Sequence, residues 1–204
     1  PLPVSINMRN VFMPCCSKII CHGGNFANQK REIEAGLEER CAFCREPAST
    51  TDEKANKLCM ERIKKNCPVA MNEMGKKHYF EGDYETTFKY WSKAAELGDA
   101  ESHYNLSVMY RKELCVEKDE KKRIYHLIEA AIGGHPDARH DLGVYEALNR
   151  RYERARKHFI IAATLGWHNS LSSLKRLYAT GYASKEDYAD ALRAYQAAVD
   201  ATKS

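Results

Sequence analysis

The feature of this sequence that most constrains its fold is a repeated pair of alanines. The pairs recur every 32 to 36 residues along most of the chain: Ala94-Ala95, Ala130-Ala131, Ala162-Ala163 and Ala197-Ala198. A period of this length indicates an array of similar structural units, each of which buries its apolar face only against its neighbours. The sequence therefore predicts four such units.

A second helical pattern precedes each alanine pair. Apolar residues recur at i, i+4 and i+8, and Ala, Gly or Ser in the same stripe allows a neighbouring helix to approach closely. The stripes begin at Ala70, Ser102, Ala138 and Ser170. Glycine follows three of the alanine-pair helices, where a left-handed residue often ends a helix: Gly98, Gly134 and Gly166. Each unit is therefore predicted to be a helical hairpin, and Pro136 suits the first turn of one of them.

Together these residues form the pattern A-x3-L-G-x2-Y, then a short loop, then K-A-A-x2-G. This pattern resembles the Sel-one-like repeat (SLR), a relative of the tetratricopeptide repeat. The resemblance covers residues 68–203 and implies an all-α fold, a right-handed α/α solenoid of about four SLR hairpins. Ser107 in place of glycine and Arg123 in place of a small residue depart from the pattern. Solenoids bind protein partners on the surface made by the first helices of their hairpins. We therefore expect exposed partner-binding residues on those helices: Glu73, Lys77, His103, Asn105, Arg139 and Asp141.

Cysteine is concentrated near the amino terminus. Five of the eight cysteines lie within a window of 30 residues: Cys15, Cys16, Cys21, Cys41 and Cys44. No secretory signal opens the sequence, and a C-x2-C pair ends the window. This combination favours a zinc site over a disulfide scaffold, and an intracellular, cytoplasmic location.

The cysteine pattern itself resembles part of a known zinc module. It is similar to the last two thirds of a RING finger. The matching residues are Cys16-x4-Cys21-x2-Gly24, a short predicted helix and Cys41-x2-Cys44-Arg45. By position, the resemblance implies metal ligands at Cys16, Cys21, Cys41 and Cys44.

Departures from the RING pattern limit the expected metal content. Lys18 stands where the family has a histidine ligand, Gly24 stands where it has a cysteine, and no C-x2-C pair precedes Cys15. The metal site that includes Cys21 would keep one ligand of four and is expected to be empty. The other site would add either Cys15 or His22 to its three cysteines. At most one zinc ion is expected, and free thiols in a degenerate finger are the alternative that the incomplete shell slightly favours.

Two functions fit these regions. The first is a non-enzymatic scaffold or adaptor that binds a protein partner through its repeats. The alternative is a RING-type E3 ubiquitin ligase, in which the finger recruits a ubiquitin-conjugating enzyme, Arg45 contacts ubiquitin and the repeats select substrate. Because the first ligand pair is missing and Ala42 replaces the usual proline of C-P-x-C, we expect the scaffold.

Three regions are predicted: residues 1–50 as a partial RING-like region, residues 51–67 as a linker and capping helix opened by Thr50-x-x-Glu53, and residues 68–203 as the solenoid.

The net charge of +4 is too small to imply a nucleic-acid partner. No apolar run approaches the roughly 18 residues of a membrane helix. The histidines lack ligand spacing, and no catalytic motif is present. A monomer is expected.

Overall fold

The computed structural model describes residues 10–47 and 51–201. It divides into two compact units, unit 1 ending at Asp99 and unit 2 beginning at Ala100. The elements of unit 1 are β1 (Asn10–Met13), β2 (Lys18–Cys21), α1 (His22–Glu34), α2 (Asp52–Lys64), α3 (Pro68–Glu81) and α4 (Tyr84–Glu96). Those of unit 2 are α5 (Ala100–Lys112), α6 (Glu120–Ile132), α7 (Pro136–Leu148), α8 (Tyr152–Thr164), α9 (His168–Ala179) and α10 (Lys185–Ala201).

Unit 1 begins with an antiparallel hairpin. Strands β1 and β2 pair with Val11 opposite Ile20. Phe12 of β1 packs against a small core that Cys59 of α2 shares with Ala70 and Met74 of α3. Phe12 thus packs the hairpin against the helical part of unit 1.

Helix α2 begins slightly later than predicted. Its N-cap is Thr51, whose hydroxyl accepts a hydrogen bond from the Lys54 N–H at 3.3 Å. The predicted cap, Thr50, lies outside the described residues. A hydroxyl at the N-cap satisfies an N–H that the helix itself leaves free, so Thr51 fixes where the helix starts.

The four predicted helical hairpins are confirmed as α3 with α4, α5 with α6, α7 with α8, and α9 with α10. The alanine pairs of the first three hairpins are buried at helix contacts. In the last hairpin Ala197 is exposed and Ala198 is half-buried. Alanine at these positions allows close helix packing. The alanine pair of the final hairpin is less buried than the pairs of the other three hairpins.

The predicted ends of α4, α6 and α8 and the predicted start of α10 are confirmed. Gly98, Gly134 and Gly166 each have φ of +84°, a left-handed conformation that costs glycine nothing because it has no Cβ. At the start of α10 the Ser184 N–H donates to Asp187 Oδ2 at 2.8 Å and the Asp187 N–H donates to Ser184 Oγ at 3.0 Å. These reciprocal bonds form the predicted capping box.

Two of the hairpins pack an aromatic ring directly on a glycine sixteen residues earlier. A Cβ atom at Gly75 would lie 2.5 Å from the Trp91 indole, and one at Gly143 would lie 2.6 Å from the Phe159 ring. In each pair glycine is required by the close approach of the aromatic side chain.

The second repeat departs at this same pair of positions: Ser107 stands at the glycine position, and Arg123 stands where the other two hairpins have Trp91 and Phe159, so the expectation of a small residue at position 123 is wrong. The Ser107 hydroxyl donates to the Tyr104 carbonyl at 2.6 Å. Arg123 binds Glu120 through two N–H groups and lies over the Tyr145 ring at 5.7 Å. Because the residue sixteen positions later is Arg123 and not an aromatic residue, position 107 does not have to be glycine for the reason that applies to Gly75 and Gly143. The two departures therefore compensate each other.

Half-buried histidines are expected to make unit 2 sensitive to acid. Burial, together with the nearby His103 and Lys122, lowers the pKa of His126 to about 4. Burial also lowers the pKa values of His140 and His158. The folded state therefore binds fewer protons than the unfolded state, in which histidine has a pKa near 6.5.

We expect the melting temperature of the chain to fall as the pH drops from about 6.5 towards 4, since stability is lost through that window. The His126→Gln variant should show a shallower dependence, measured by thermal melts at pH 7, 6 and 5. Lys185→Ala should keep the slope of the native chain. Equal slopes in all three proteins would contradict the assignment to His126.

Candidate metal centre and repeat surface

Two of the amino-terminal cysteines, Cys15 and Cys16, lie in the turn between β1 and β2. The Met13 carbonyl accepts hydrogen bonds from the N–H groups of Cys16, at 3.3 Å, and Ser17, at 2.8 Å. Ser17 has a left-handed φ of +56°. This tight turn holds the consecutive residues Cys15 and Cys16 at the tip of the hairpin.

The C-x2-C pair, Cys41 and Cys44, lies in a second turn. The Arg45 N–H donates to the Cys41 carbonyl at 3.1 Å, and the Phe43 N–H donates to the Cys41 sulfur at 3.5 Å. A bridge between Arg40 and Pro47 closes the loop. The backbone thus turns both cysteine side chains of the pair towards one point.

The two turns bring four sulfur atoms together. Cys15 Sγ lies 3.3 Å from Cys44 Sγ, and Cys16 Sγ lies 3.7 Å from Cys41 Sγ. All four sulfur atoms lie within 4.8 Å of one another, so the cluster could hold a metal ion.

The thiols of the cluster differ in their electrostatic environment. Burial disfavours the Cys41 thiolate, but hydrogen bonds from the N–H groups of Cys44 and Phe43 outweigh it and lower the pKa of Cys41 to about 7. Burial raises the pKa values of Cys15 and Cys16. The environment thus lowers the pKa of Cys41 and raises those of Cys15 and Cys16, and Cys41 is also the most buried residue of the cluster.

Helix α1 supports the second turn through polar residues that the sequence analysis missed. Glu32 is 1% exposed; its Oε2 accepts a hydrogen bond from the Arg40 N–H at 2.6 Å, and its Oε1 lies 2.7 Å from Arg45 Nη2. The Asn28 amide donates to the Arg40 carbonyl at 2.9 Å. In sequence these residues belong to an ordinary polar helix, and only their burial distinguishes them.

Of the predicted metal ligands, Cys16, Cys41 and Cys44 meet in this cluster, and Cys15, an alternative fourth ligand in the prediction, joins them. The side chains of Cys21 and His22 lie outside the described part of the structure. Their backbone is placed: Cys21 ends β2 opposite Asn10, and His22 begins α1.

The predicted partner-binding residues are not equally accessible. Lys77 is exposed, Glu73 is half-buried beside Lys76, and Arg139 is half-buried. The expected exposure of His103 and Asn105 is wrong, because they are 8% and 2% exposed. Helix α5 is buried at every residue from Ser102 to Tyr110, so its polar positions do not mark a free face. Within unit 2, His103 Nδ1 lies 3.0 Å from His126 Nδ1.

Asp141 lies in a polar recess of unit 2. The recess, of about 290 Å³, is also lined by Arg111, Lys118, Glu120 and Arg123. Asp141 is half-buried; burial raises the pKa of its carboxyl group, and its Oδ2 lies 3.4 Å from Arg111 Nη1.

An apolar groove of about 330 Å³ adjoins this recess. It shares Val144 and Leu148 with the recess, and its other lining residues include Tyr152, Arg176, Leu177 and Tyr182. Leu148 is 80% exposed. The end of α7 thus lies between a charged recess, formed with α5 and α6, and an apolar groove, formed with α8 and α9.

Comparison with protein families matches three segments of the chain, residues 68–99, 100–135 and 136–167, to the Sel1 repeat. These segments coincide with the first three helical hairpins. Comparison with curated protein sequences gave no match.

Two solved structures share the fold. A Sel1 repeat protein from Oxalobacter formigenes matches with a TM-score of 0.61 and 22% identity, covering 88% of this chain and 72% of its own. The protective antigen c5321 from uropathogenic Escherichia coli, which displays an SLR fold, matches with a TM-score of 0.58 and 17% identity, covering 88% of this chain and 38% of its own. The SLR fold class is therefore confirmed. In the described residues, no helix combines the length and apolar character needed to cross a bilayer.

Proposed function

We propose that this chain, in which three Sel1 repeats occupy residues 68–167, is a protein-interaction scaffold that binds a segment of a partner protein. Sel1 repeat proteins generally serve protein interaction. The observation that carries the proposal is the pairing of an apolar groove with a charged recess on the two sides of the end of α7.

The chemistry of the groove indicates the kind of segment that it binds. Leu148, Val144 and Leu177 offer an apolar surface for a large apolar side chain. Arg176, at the same groove, has no acidic partner among the described residues, and Lys118 is exposed beside the recess. A segment that presents an apolar residue next to an acidic residue complements both features.

We expect that peptides selected from a random library for binding to this chain will lose at least about tenfold in affinity for the Leu148→Asp variant. Burying a leucine side chain contributes about 1.5–3 kcal/mol, and 1.4 kcal/mol corresponds to a tenfold change. Isothermal titration calorimetry would measure the affinity. Ile161→Asp is the matched control, because Ile161 is an exposed aliphatic residue of α8 that does not line the groove. Loss of affinity only in the control variant would contradict the proposed location.

The second candidate function is the RING-type E3 ligase, favoured by the convergence of cysteines from two turns as in a zinc finger. Exposed Phe43, inside the C-x2-C turn, and exposed Ile19, on β2, would supply apolar contacts to a ubiquitin-conjugating enzyme. Accelerated discharge of ubiquitin from such an enzyme by the purified chain would place this function ahead of the scaffold.

A further inference from the structure

We propose that Cys15, Cys16, Cys41 and Cys44 form one closed tetrathiolate site for Zn²⁺, an assignment that goes beyond the scaffold function. Their four sulfur atoms lie within 4.8 Å of one another and come from two turns that are 25 to 29 residues apart in sequence. The site uses Cys15 as its fourth ligand and leaves Cys21 outside.

The distances between the sulfur atoms suit zinc. A zinc–sulfur bond of about 2.3 Å in tetrahedral geometry separates the sulfur atoms by about 3.8 Å. The contacts from Cys15 to Cys44 and from Cys16 to Cys41 are 3.3 Å and 3.7 Å. Shifts of a few tenths of an ångström at most are needed along these two edges of the tetrahedron, and no remaining edge exceeds 4.8 Å.

The donor set selects the kind of metal. Four thiolates and no oxygen ligand favour a soft tetrahedral ion and disfavour Mg²⁺ and Ca²⁺, which take oxygen ligands. A full set of four protein ligands leaves no position for water or substrate, so the site is structural. Zinc binding releases the thiol protons to solvent.

Backbone placement separates Cys21 from this site. Cys16 lies in the turn, whereas Cys21 is the last residue of β2 and pairs with Asn10 at the other end of the hairpin. At about 3.3 Å per residue, the strand carries Cys21 about 10 Å from Lys18. The resemblance to a RING finger implies a ligand at Cys21, but the backbone of Cys21 lies at the end of the hairpin opposite the turn that holds Cys15 and Cys16.

Basic residues lie where they can offset the charge of the site, which is −2 for four thiolates and one Zn²⁺. The Lys18 ammonium group lies 5.3 Å from the centre of the Phe43 ring, beside the second turn. The Arg62 guanidinium donates a hydrogen bond to the Cys15 carbonyl. This second contact also ties the metal-binding turn to α2.

The need for a metal follows from the poor core of this region. Among residues 11–20 and 24–47, the buried side chains are Asn28, Glu32 and Cys41. Two of these are polar and the third is a proposed ligand, while Phe26, Ile33 and Leu37 are exposed. A segment this short without an apolar core generally requires a metal or a disulfide to fold. Zinc would supply that stabilisation.

The test uses the full chain, purified under reducing conditions and analysed for metals by mass spectrometry. We expect one equivalent of zinc and no iron. The Cys15→Ser variant should fall below about 0.2 equivalents, while Cys21→Ser and the exposed control Cys115→Ser should keep one.

A second measurement covers the case in which Cys15→Ser does not fold. The native apoprotein loaded with Co²⁺ should show the absorption of a tetrahedral thiolate complex. The Cys44→His variant should still bind one Co²⁺. Its thiolate charge-transfer intensity should be lower by about one quarter, since three of the four thiolates remain.

Several outcomes would overturn the assignment. They are a chain without metal, a chain with iron in place of zinc, two zinc ions per chain, or loss of zinc in Cys21→Ser with retention in Cys15→Ser. Peptide binding in the groove of unit 2 should be unchanged in Cys15→Ser, so that failure of the metal site and failure of the scaffold proposal are distinguishable.

Discussion

Replacing Phe159 with alanine is expected to lower the free energy of unfolding of unit 2 by about 3–5 kcal/mol, the usual cost of removing a buried aromatic ring. Phe159 is buried in a cluster with Ala155, Leu174 and Ala191. Loss of the ring leaves a cavity between α7 and α8 that the short neighbouring side chains cannot fill. Chemical denaturation monitored by circular dichroism would measure the change, and the exposed Lys185→Ala should change stability by less than about 0.5 kcal/mol.

The contact between Phe159 and Gly143 provides a sharper test of the same packing. Gly143→Leu should destabilise by about 1–3 kcal/mol, because a Cβ at this position would lie 2.6 Å from the ring. In the double variant that combines Gly143→Leu with Phe159→Ala, the leucine side chain can occupy the space that the phenylalanine ring leaves. We therefore expect the double variant to be more stable than the sum of the single changes predicts, by more than about 1 kcal/mol. Additive effects would show that the two residues do not pack together.

Replacing Arg45 with alanine is expected to destabilise the turn around Cys41 by about 2–3 kcal/mol. The substitution removes the ion-pair partner that lies 2.7 Å from the buried Glu32 carboxylate and, among the described residues, leaves only the exposed Arg31 at 4.0 Å, which is costly in a region shielded from water. The side chain of Arg45 is 46% exposed, which keeps the expected loss below that for a fully buried pair. Hydrogen exchange at the amides of residues 40–45 should become about 30-fold to 100-fold faster, as follows from 1.4 kcal/mol per factor of ten.

Two further variants separate the ion pair from a general effect of charge. Adding Glu32→Gln to Arg45→Ala should restore most of the protection, because glutamine is neutral and still accepts the hydrogen bond from the Arg40 N–H. Arg31→Ala should cost less than about 1 kcal/mol, because Arg31 is exposed and lies 4.0 Å from Glu32. Similar losses in Arg31→Ala and Arg45→Ala would contradict the specific role of Arg45.

This structural role affects how the ligase alternative is tested. If Arg45→Ala abolished discharge of ubiquitin, the loss could come from the displaced turn or from a missing contact with ubiquitin. The double variant with Glu32→Gln restores the turn without restoring the arginine. Discharge that stays lost in the double variant would indicate a direct contact.

The sequence by itself determined the helical part of this protein. The alanine pairs, the glycines after them and the stripes that begin at Ala70 and its equivalents are local signals. Their spacing follows from the geometry of a single helix and its ends. The hairpins are accordingly confirmed, including the left-handed glycines and the capping box of Ser184 and Asp187.

Only the tertiary structure decided which distant residues meet. Cys15 joins the sulfur cluster because the turn at Ser17 folds the hairpin tip towards a loop more than 20 residues away, and no local spacing encodes that approach. For the same reason the burial of Glu32 and of Asn105 could not be read from their helices, which present polar residues in either case. Helix periodicity reports which residues share a face, whereas the partner of that face depends on turn geometry and packing across the chain.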